Sequence, residues 1–344
     1  MTPTSTISQA KQALGNDLYL LGHHYQNDAV LDHVDLRGDS LELARRIPDL
    51  AARYIVFCGV FFMAESAAIL ATEGQEVHTP RADAMCVMAE MAPSVLAERV
   101  MQRFLDHGRK IIPLTYVNSS AAIKAMCGRL GGSVCTSANA ATMLKWAMSR
   151  GDGVLFLPDK NLAQNTADSL GLPRTSRHIL DIRKDGEAFS LEATDKTDLI
   201  MWPGCCAVHF RFRTSQIKAM RTHYPDCRVL VHPECSPEVV KASDGAGSTS
   251  YLIRECQEAP EGSTLVIGTE INLVARLAAQ HAPGKTIVPL SVSSCANMAK
   301  TTQDNLAALL HRIQAGDAPD PVQVAPEIAE PAKLALERML EVCA

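Results

Sequence analysis

Three cysteine positions share one setting in this chain. Cys86, the adjacent pair Cys205 and Cys206, and Cys295 each follow a short β-type run: EVHTPRADAMC, LIMWPGCC and TIVPLSVSSC. Three thiolates brought to one place bind a metal centre and leave a position on it open. A structural zinc or a closed iron–sulfur cluster takes four protein ligands. An open position admits substrate, on which the metal acts as a Lewis acid. Spacing alone does not separate Cys205 from Cys206. No C-x-x-C pair occurs, and an odd total of 11 cysteines fits a secreted disulfide framework poorly. Cys58, Cys127, Cys135, Cys227, Cys235, Cys256 and Cys343 read as packing or surface thiols.

A second set of residues ends three other apolar runs. YLLGHHYQ (19–26) ends in His23, His24 and Tyr25. Three rings in a row cannot all be core, because alternate strand residues face opposite sides. IIPLTYVN (111–118) places Tyr116 and Asn118 on one face, and VLVHPE (229–234) does the same with His232 and Glu234, an acid–base pair whose path Pro233 stiffens. Hydroxyl residues then open helix-like segments at Ser40, Ser137 and Thr249, where they read as N-caps. Helix N-termini carry free N–H groups and the positive end of the dipole. Three of them facing one pocket suit a polyanionic small molecule.

The elements that position these residues form a repeat. Each unit reads strand, helix, strand, helix, strand, cysteine, and in each the middle strand leads into a helix through an acid: Glu65, Asp159 or Glu270. Strands alternating with helices, with short unbroken Val/Ile-rich runs, predict parallel sheets covered on both faces. Ligands of such sheets sit beyond the carboxyl ends of the strands, where all the residues above lie. The fold expected is α/β: three α/β/α domains related by a pseudo-threefold axis, each with a short parallel sheet, and an active site at the central interface. The units run over 1–90, 91–208 and 209–300, with an excursion at about 170–198 in the second and a tail at 301–344 that packs back. In the tail, NMAKTTQDNLAALLHRIQ reads as a helix, DAPDPVQVAPEIAEP as a linker and PAKLALERMLEVC as a terminal helix.

Composition agrees with this reading. The 344 residues carry a net charge of −5, with 47% hydrophobic and 21% charged residues. These values suit a packed globular chain and exclude extensive disorder. A mildly acidic balance argues against nucleic acid as a partner. The longest apolar run, 54–64, is too short for a bilayer, and the N-terminus lacks a signal-peptide pattern, so a cytoplasmic protein without a membrane partner is expected. There is no Walker A loop, G-x-S-x-G elbow or H-E-x-x-H helix, and Gly245-Ala246-Gly247 matches a dinucleotide fingerprint only in part.

The ordered set HHYQ (23–26), GDS (38–40), FMAE (62–65), YVN (116–118), CTSAN (135–139), LPDKNL (157–162), GCCAVH (204–209), HPE (232–234), GST (247–249), GTE (268–270) and CANM (295–298) resembles the bacterial quinolinate synthase family. The likeness runs from about residue 20 to 300 and draws on all three repeats. It implies condensation of iminoaspartate (2-iminosuccinate) with dihydroxyacetone phosphate to quinolinate, in NAD biosynthesis, with coupling to an L-aspartate oxidase or dehydrogenase. It implies a [4Fe-4S] cluster with three cysteine ligands and one open iron. The family pattern G-x-C-x-V-H selects Cys206 over Cys205, giving Cys86, Cys206 and Cys295. Substrate-binding positions fall on His23, Ser40, Tyr116, Val117, Asn118, Ser137, His232, Pro233, Glu234 and Thr249. Catalytic roles fall on Tyr25, Tyr116, Glu234 and His209. Ser293 and Ser294 stand where some members carry extra cysteines, which removes a local redox pair. Two other classes are consistent with the same three cysteines: a cluster-dependent hydro-lyase of the aconitase type, and a non-catalytic iron–sulfur sensor.

Overall fold

A computed structural model describes residues 2–344. The first unit runs α1 (Pro3–Leu14), β1 (Leu18–His23), α2 (Asp28–Leu31), β2 (Leu36–Gly38), α3 (Ser40–Arg46), β3 (Tyr54–Cys58), α4 (Phe61–Leu70), β4 (Glu76–His78) and α5 (Val87–Glu90). The second runs α6 (Ser94–Asp106), β5 (Ile111–Tyr116), α7 (Ala121–Arg129), β6 (Ser133–Cys135), α8 (Ala140–Met148), β7 (Gly153–Leu157), α9 (Lys160–Ser169), β8 (Arg177–Ile179), α10 (Arg183–Gly186) and β9 (Leu199–Met201). The third runs α11 (Thr214–His223), β10 (Arg228–Val231), α12 (Pro237–Ala242), β11 (Gly245–Ala246), α13 (Thr249–Glu258), β12 (Thr264–Gly268), α14 (Ile271–His281) and β13 (Thr286–Pro289), and α15 (Gln303–Gln314) and α16 (Pro326–Val342) follow.

Three separate sheets result, all parallel, with strand orders β2-β1-β3-β4, β6-β5-β7-β9-β8 and β11-β10-β12-β13. The order is the same in each apart from β8. Successive residues of one strand serve opposite faces. In the third sheet Leu230, Leu265 and Ile267 pack with α13 and α14, while Val229, Val231 and Val266 pack with α11 and α12. In the first, Leu18, Leu20, Val56 and Cys58 meet α1 and α15, and Leu21, Ile55 and Phe57 join the large core shared with the second unit. Burial on both faces is why these runs carry no polar alternation.

Several sequence expectations are corrected in detail. Each unit has four strands rather than three, because β2, β6 and β11 add short edge strands just before the hydroxyl segments. At two or three residues they are too short to show periodicity. The excursion in the second unit supplies a fifth strand, β8, paired with β9. The N-caps are not the three hydroxyls. Asp39 caps α3 through a capping box with Glu42, accepting from Leu41 N at 2.9 Å and Glu42 N at 3.0 Å. Ser248 caps α13, and Asn139 occupies the cap position of α8, which leaves Ser40 and Thr249 as first helical residues and Ser137 in the preceding turn. Glu65 does not introduce its helix as Asp159 and Glu270 do. It lies within α4, whose apolar sequence starts helix at Phe61, directly after Gly59-Val60.

The terminal helix begins at Pro326 rather than at Pro331. Proline is well placed at a first helical position, and Pro331 removes one N–H while the helix continues. The helix lies against α7 so closely that a Cβ at Gly128 would stand 1.7 Å from the Pro331 carbonyl oxygen. Arg338 Nη1 donates to the carbonyls of Gly128 at 3.0 Å and Gly132 at 2.8 Å, and Ser133 Oγ donates to Ala335 O at 3.0 Å. A methyl group at 128 must therefore wedge the tail from the second unit. Gly128→Ala is expected to lower the unfolding free energy by about 1–3 kcal/mol, the usual cost of overpacking. Chemical denaturation of the two proteins checks this, and an unchanged midpoint would mean that the tail is not held by this contact.

Candidate active site

The carboxyl ends of the three sheets open onto one narrow cleft of about 70 Å³. The first unit contributes His23, the last residue of β1, together with Tyr25 and Ser40. The second contributes Tyr116, the last residue of β5, with Asn118 and Ser137. The third contributes His232 and Glu234, just past β10, with Thr249 and His209. Cys86, Cys206 and Cys295 line the same cleft. Val117 and Pro233 lie behind it. Val117 is 2% exposed and packs in the core, and the Pro233 carbonyl accepts from Asn165 Nδ2 at 2.7 Å.

The loops after β1 and β10 share one conformation. Tyr25 N donates to His23 Nδ1 at 3.1 Å and Gln26 N to His23 O at 2.9 Å. Glu234 N donates to His232 Nδ1 at 3.4 Å and Cys235 N to His232 O at 3.0 Å. Burial, with the neighbouring His24, holds His23 down to about 3, and burial with His209 does the same for His232. Both imidazoles are therefore neutral near pH 7. Since Nδ1 is an acceptor, Nε2 carries the proton, and each ring has a donor to offer.

A hydrogen-bonded chain crosses the cleft. Glu234 Oε2 lies 2.7 Å from His209 Nδ1, His209 Nε2 lies 3.1 Å from Thr269 Oγ1, and Thr269 Oγ1 lies 2.7 Å from Tyr25 Oη. Thr249 Oγ1 donates to the same phenol at 3.4 Å. The His209 and His232 rings stack with centroids 4.4 Å apart. Burial opposes a charge on Glu234, yet His232, His209 and the hydrogen bonds from His209 and Tyr116 together hold its carboxyl below the usual range. Burial and the Glu234 charge push the phenols of Tyr25 and Tyr116 well above theirs, so both keep their protons. This is one ionised carboxylate linked through an imidazole and a hydroxyl to a phenolic donor, an arrangement that can take a proton at one point and return it at another.

Two of these groups are not among the residues singled out from the sequence. Thr269 stands beside Glu270 in a motif read for its acid alone, and the matching position in the second unit is Pro158, so the repeat carries no signal for it. Asp39 lines the cleft and accepts from Ser250 Oγ at 2.7 Å, tying the first turns of α3 and α13 together.

The three cysteines occupy equivalent turns. The carbonyl of Cys86 accepts from Glu90 N at 3.2 Å, that of Cys206 from Phe210 N at 2.9 Å and that of Cys295 from Ala299 N at 3.0 Å. Each sulfur also faces the amide of the residue three places on, Ala89, His209 or Met298. Cys205 is outside the cleft, its amide facing Met91 Sδ at 3.5 Å. The Cys206 amide donates to Asp159 Oδ2 at 3.1 Å and the Cys295 amide to Glu270 Oε1 at 3.5 Å.

Burial pushes the Cys86 thiol up to about 12 and raises Cys206 and Cys295 as well. Thiolates here would need a nearby positive charge, of the kind a bound metal supplies. Thiolates on one tetrahedral ion would stand about 3.8 Å apart, from bonds of about 2.3 Å. Among the described residues, the tight group of metal-capable donors, all within 4.8 Å of one another, is Cys206, His209 and Glu234, and it does not include Cys86 or Cys295. The three sulfurs therefore do not stand at the spacing that one shared ion requires.

Comparison with known proteins bears on this site. The sequence model of the family described as Quinolinate synthetase A protein matches residues 5–341. The chain is 43% identical over 339 residues to the quinolinate synthase of Bacillus cereus (strain Q1), covering 97% of this chain and 92% of the relative. It is 42% identical over 342 residues to the quinolinate synthase of Acidobacterium capsulatum, covering 98% and 92%. With near-complete coverage on both sides and the resembling motifs gathered at one cleft, the chain belongs to the quinolinate synthetase A protein family.

Proposed function

We propose that this protein is a quinolinate synthase that joins iminoaspartate to dihydroxyacetone phosphate, with loss of phosphate and water, as a step of NAD biosynthesis. An oxidase or dehydrogenase acting on L-aspartate is the class of reaction that supplies the imine. The observation that carries the reading is the Glu234–His209–Thr269–Tyr25 chain in a cleft that also holds three equivalent cysteines, within a chain of this family.

The substrates bring two carboxylates and a phosphate, so the cleft must offer donors. Its candidates are the first turns of α3, α8 and α13 with the hydroxyls of Ser40, Ser137 and Thr249, and the Nε2–H groups of His23 and His232. The Asn118 Oδ1 atom is buried without a protein partner, which leaves that amide for a ligand. Val60, Met63, Val208 and Met298 add an apolar stretch to the wall.

Condensation and ring closure need protons removed from carbon and given to oxygen and nitrogen. Glu234 is the base for the carbon proton, with His232 stacked behind His209 to fix its direction. Tyr25 is the donor to oxygen, and the proton that Glu234 takes from carbon returns to the phenol through His209 and Thr269. Tyr116, beside Glu234, orients the carboxylate and serves the carbonyl isomerisation. Cys86, Cys206 and Cys295 would hold a [4Fe-4S] cluster through three sulfurs, and such a cluster supplies a Lewis acid at its open iron for loss of a hydroxyl group in the final dehydration.

Two expectations follow. Glu234→Gln keeps the shape and removes the base, so quinolinate formation by protein purified without oxygen should fall by about 10²–10⁴-fold, the range of a positioned general base. Full turnover by this variant would remove Glu234 from the chemistry. Second, iron and sulfide content should be lost in Cys206→Ser and retained in Cys205→Ser, because only the former faces the cleft. Equal iron in both would mean that Cys206 is not a ligand, and a loaded protein that hydrates carboxylic acids without forming quinolinate would move the function to a hydro-lyase.

A further inference from the structure

The strand-end loops that carry Tyr25 and Glu234 are held from outside their own units. After β10, Asn165 Nδ2 of α9 donates to the carbonyls of Pro233 at 2.7 Å and Cys235 at 2.8 Å, and Asn161 Nδ2 of the same helix donates to Glu234 O at 3.2 Å. After β1, Arg276 of α14 donates to the carbonyl of His24 and to Gln26 O at 3.3 Å, and Asn272 Nδ2 of the same helix donates to Tyr25 O at 3.1 Å. Three consecutive carbonyls are captured in each case. The donors lie at matching places, two and six residues beyond the capping acids Asp159 and Glu270.

The capping acids extend the parallel. Asp159 caps α9 at Leu162 N (2.7 Å) and takes the Cys206 amide, and Glu270 caps α14 at Asn272 N (2.7 Å) and takes the Cys295 amide. Each helix thus touches the cysteine loop of its own unit at one end and the next unit's loop one to two turns later. The third junction is built differently. In α4 the matching places hold Phe62 and Ser66, and Ser66 Oγ bonds back to Phe62 O at 2.8 Å. There Lys124, fully buried, supplies the donor to Ser119 O from within the receiving unit, with its ammonium 5.3 Å from the Phe62 ring.

We infer that Asn165 and Arg276, assisted by Asn161 and Asn272, are positioning residues that set Glu234 and Tyr25 at fixed places relative to the cysteine loops of Cys206 and Cys295. The catalytic part of this inference rests on the function proposed above, whereas the loop-holding part does not. Fixing three carbonyls fixes the peptide planes, and with them the direction of each side chain between them. Asn165 (8% exposed) spends its donors on these carbonyls, and Arg276 (7% exposed) spends its own on them and on the Asp28 carboxylate at 2.5 Å, rather than on the cleft, so they act through the loops. Arginine presents a rigid fork of donors that a lysine ammonium cannot reproduce.

The test uses the full-length, cluster-loaded protein and the variants Asn165→Leu, Arg276→Met and Arg276→Lys. Hydrogen exchange is followed by mass spectrometry in segments 232–236 and 23–28. Asn165→Leu is expected to speed exchange at least tenfold in 232–236 and leave 23–28 unchanged, and Arg276→Met to do the reverse. Arg276→Lys should restore neither exchange nor rate. In quinolinate formation kcat should fall on the order of tenfold to 100-fold with KM changed far less, as small misplacement of reacting groups does. If a variant fails to fold, Asn161→Ala and Asn272→Ala, each removing one bond, carry the same reciprocal expectation. Unchanged exchange in both segments, or equal loosening of both by either variant, would overturn the inference. Reciprocal loosening with kcat intact would overturn its catalytic part. A wild-type protein that makes no quinolinate would overturn the proposed reaction instead, with the exchange result still deciding whether the loops are held.

Discussion

A parallel strand that ends in a buried loop leaves its last carbonyls without ladder partners, and buried carbonyls must be paired. Tyr25 and Glu234, the two ends of the hydrogen-bonded chain in the cleft, lie on such loops. The ladder of the first sheet ends at His23 and that of the third at Val231, short of the carbonyls that follow. The loops after β1 and β10 resolve this by borrowing donors from α14 and α9 of neighbouring units. The requirement that makes three separate sheets cohere is thus the one that fixes the geometry of the cleft.

Charge is arranged with similar economy. The cleft gathers three thiols, several imidazoles, phenols and a carboxylate in a place with little water. Burial alone would leave every one of them neutral. Glu234 departs from that pattern because His209 and Tyr116 bond to its charged form. His23 and His232 stay neutral, and each spends Nδ1 on a main-chain amide, which fixes the tautomer without needing a second acid. The sulfurs face main-chain amides, and burial keeps their thiols protonated.

Most of this was legible in the sequence where the repeat speaks. The apolar runs over β1, β5 and β10, their polar ends and the three cysteine turns recur at corresponding places, and correspondence separates the cleft-lining Cys86 and Cys295 from a buried Cys58. The repeat is silent where the units differ. Thr269 has Pro158 as its counterpart, and Asn165 and Arg276 are different residues performing one task at one position. The caps were misread for a local reason: hydroxyl and carboxylate residues stand side by side at Asp39-Ser40, and composition does not tell which of them ends outside the helix. β2, β6 and β11 are too short to have a period at all.

The asymmetry of the three junctions has a mechanical meaning. Two are closed by hydrogen bonds that require one distance and one angle. The third, between α4 and the loop after β5, relies on the apolar face of Phe62 and on Lys124 from the receiving side. Apolar contact is non-directional and tolerates sliding in a way that a carbonyl clamp does not. The two clamps hold the loops at either end of the hydrogen-bonded chain that runs from Tyr25 to Glu234. The first and second units meet where neither end of that chain is anchored. Directional carbonyl clamps thus hold the loops of Tyr25 and Glu234, while the junction of the first and second units rests on apolar contact and one buried lysine.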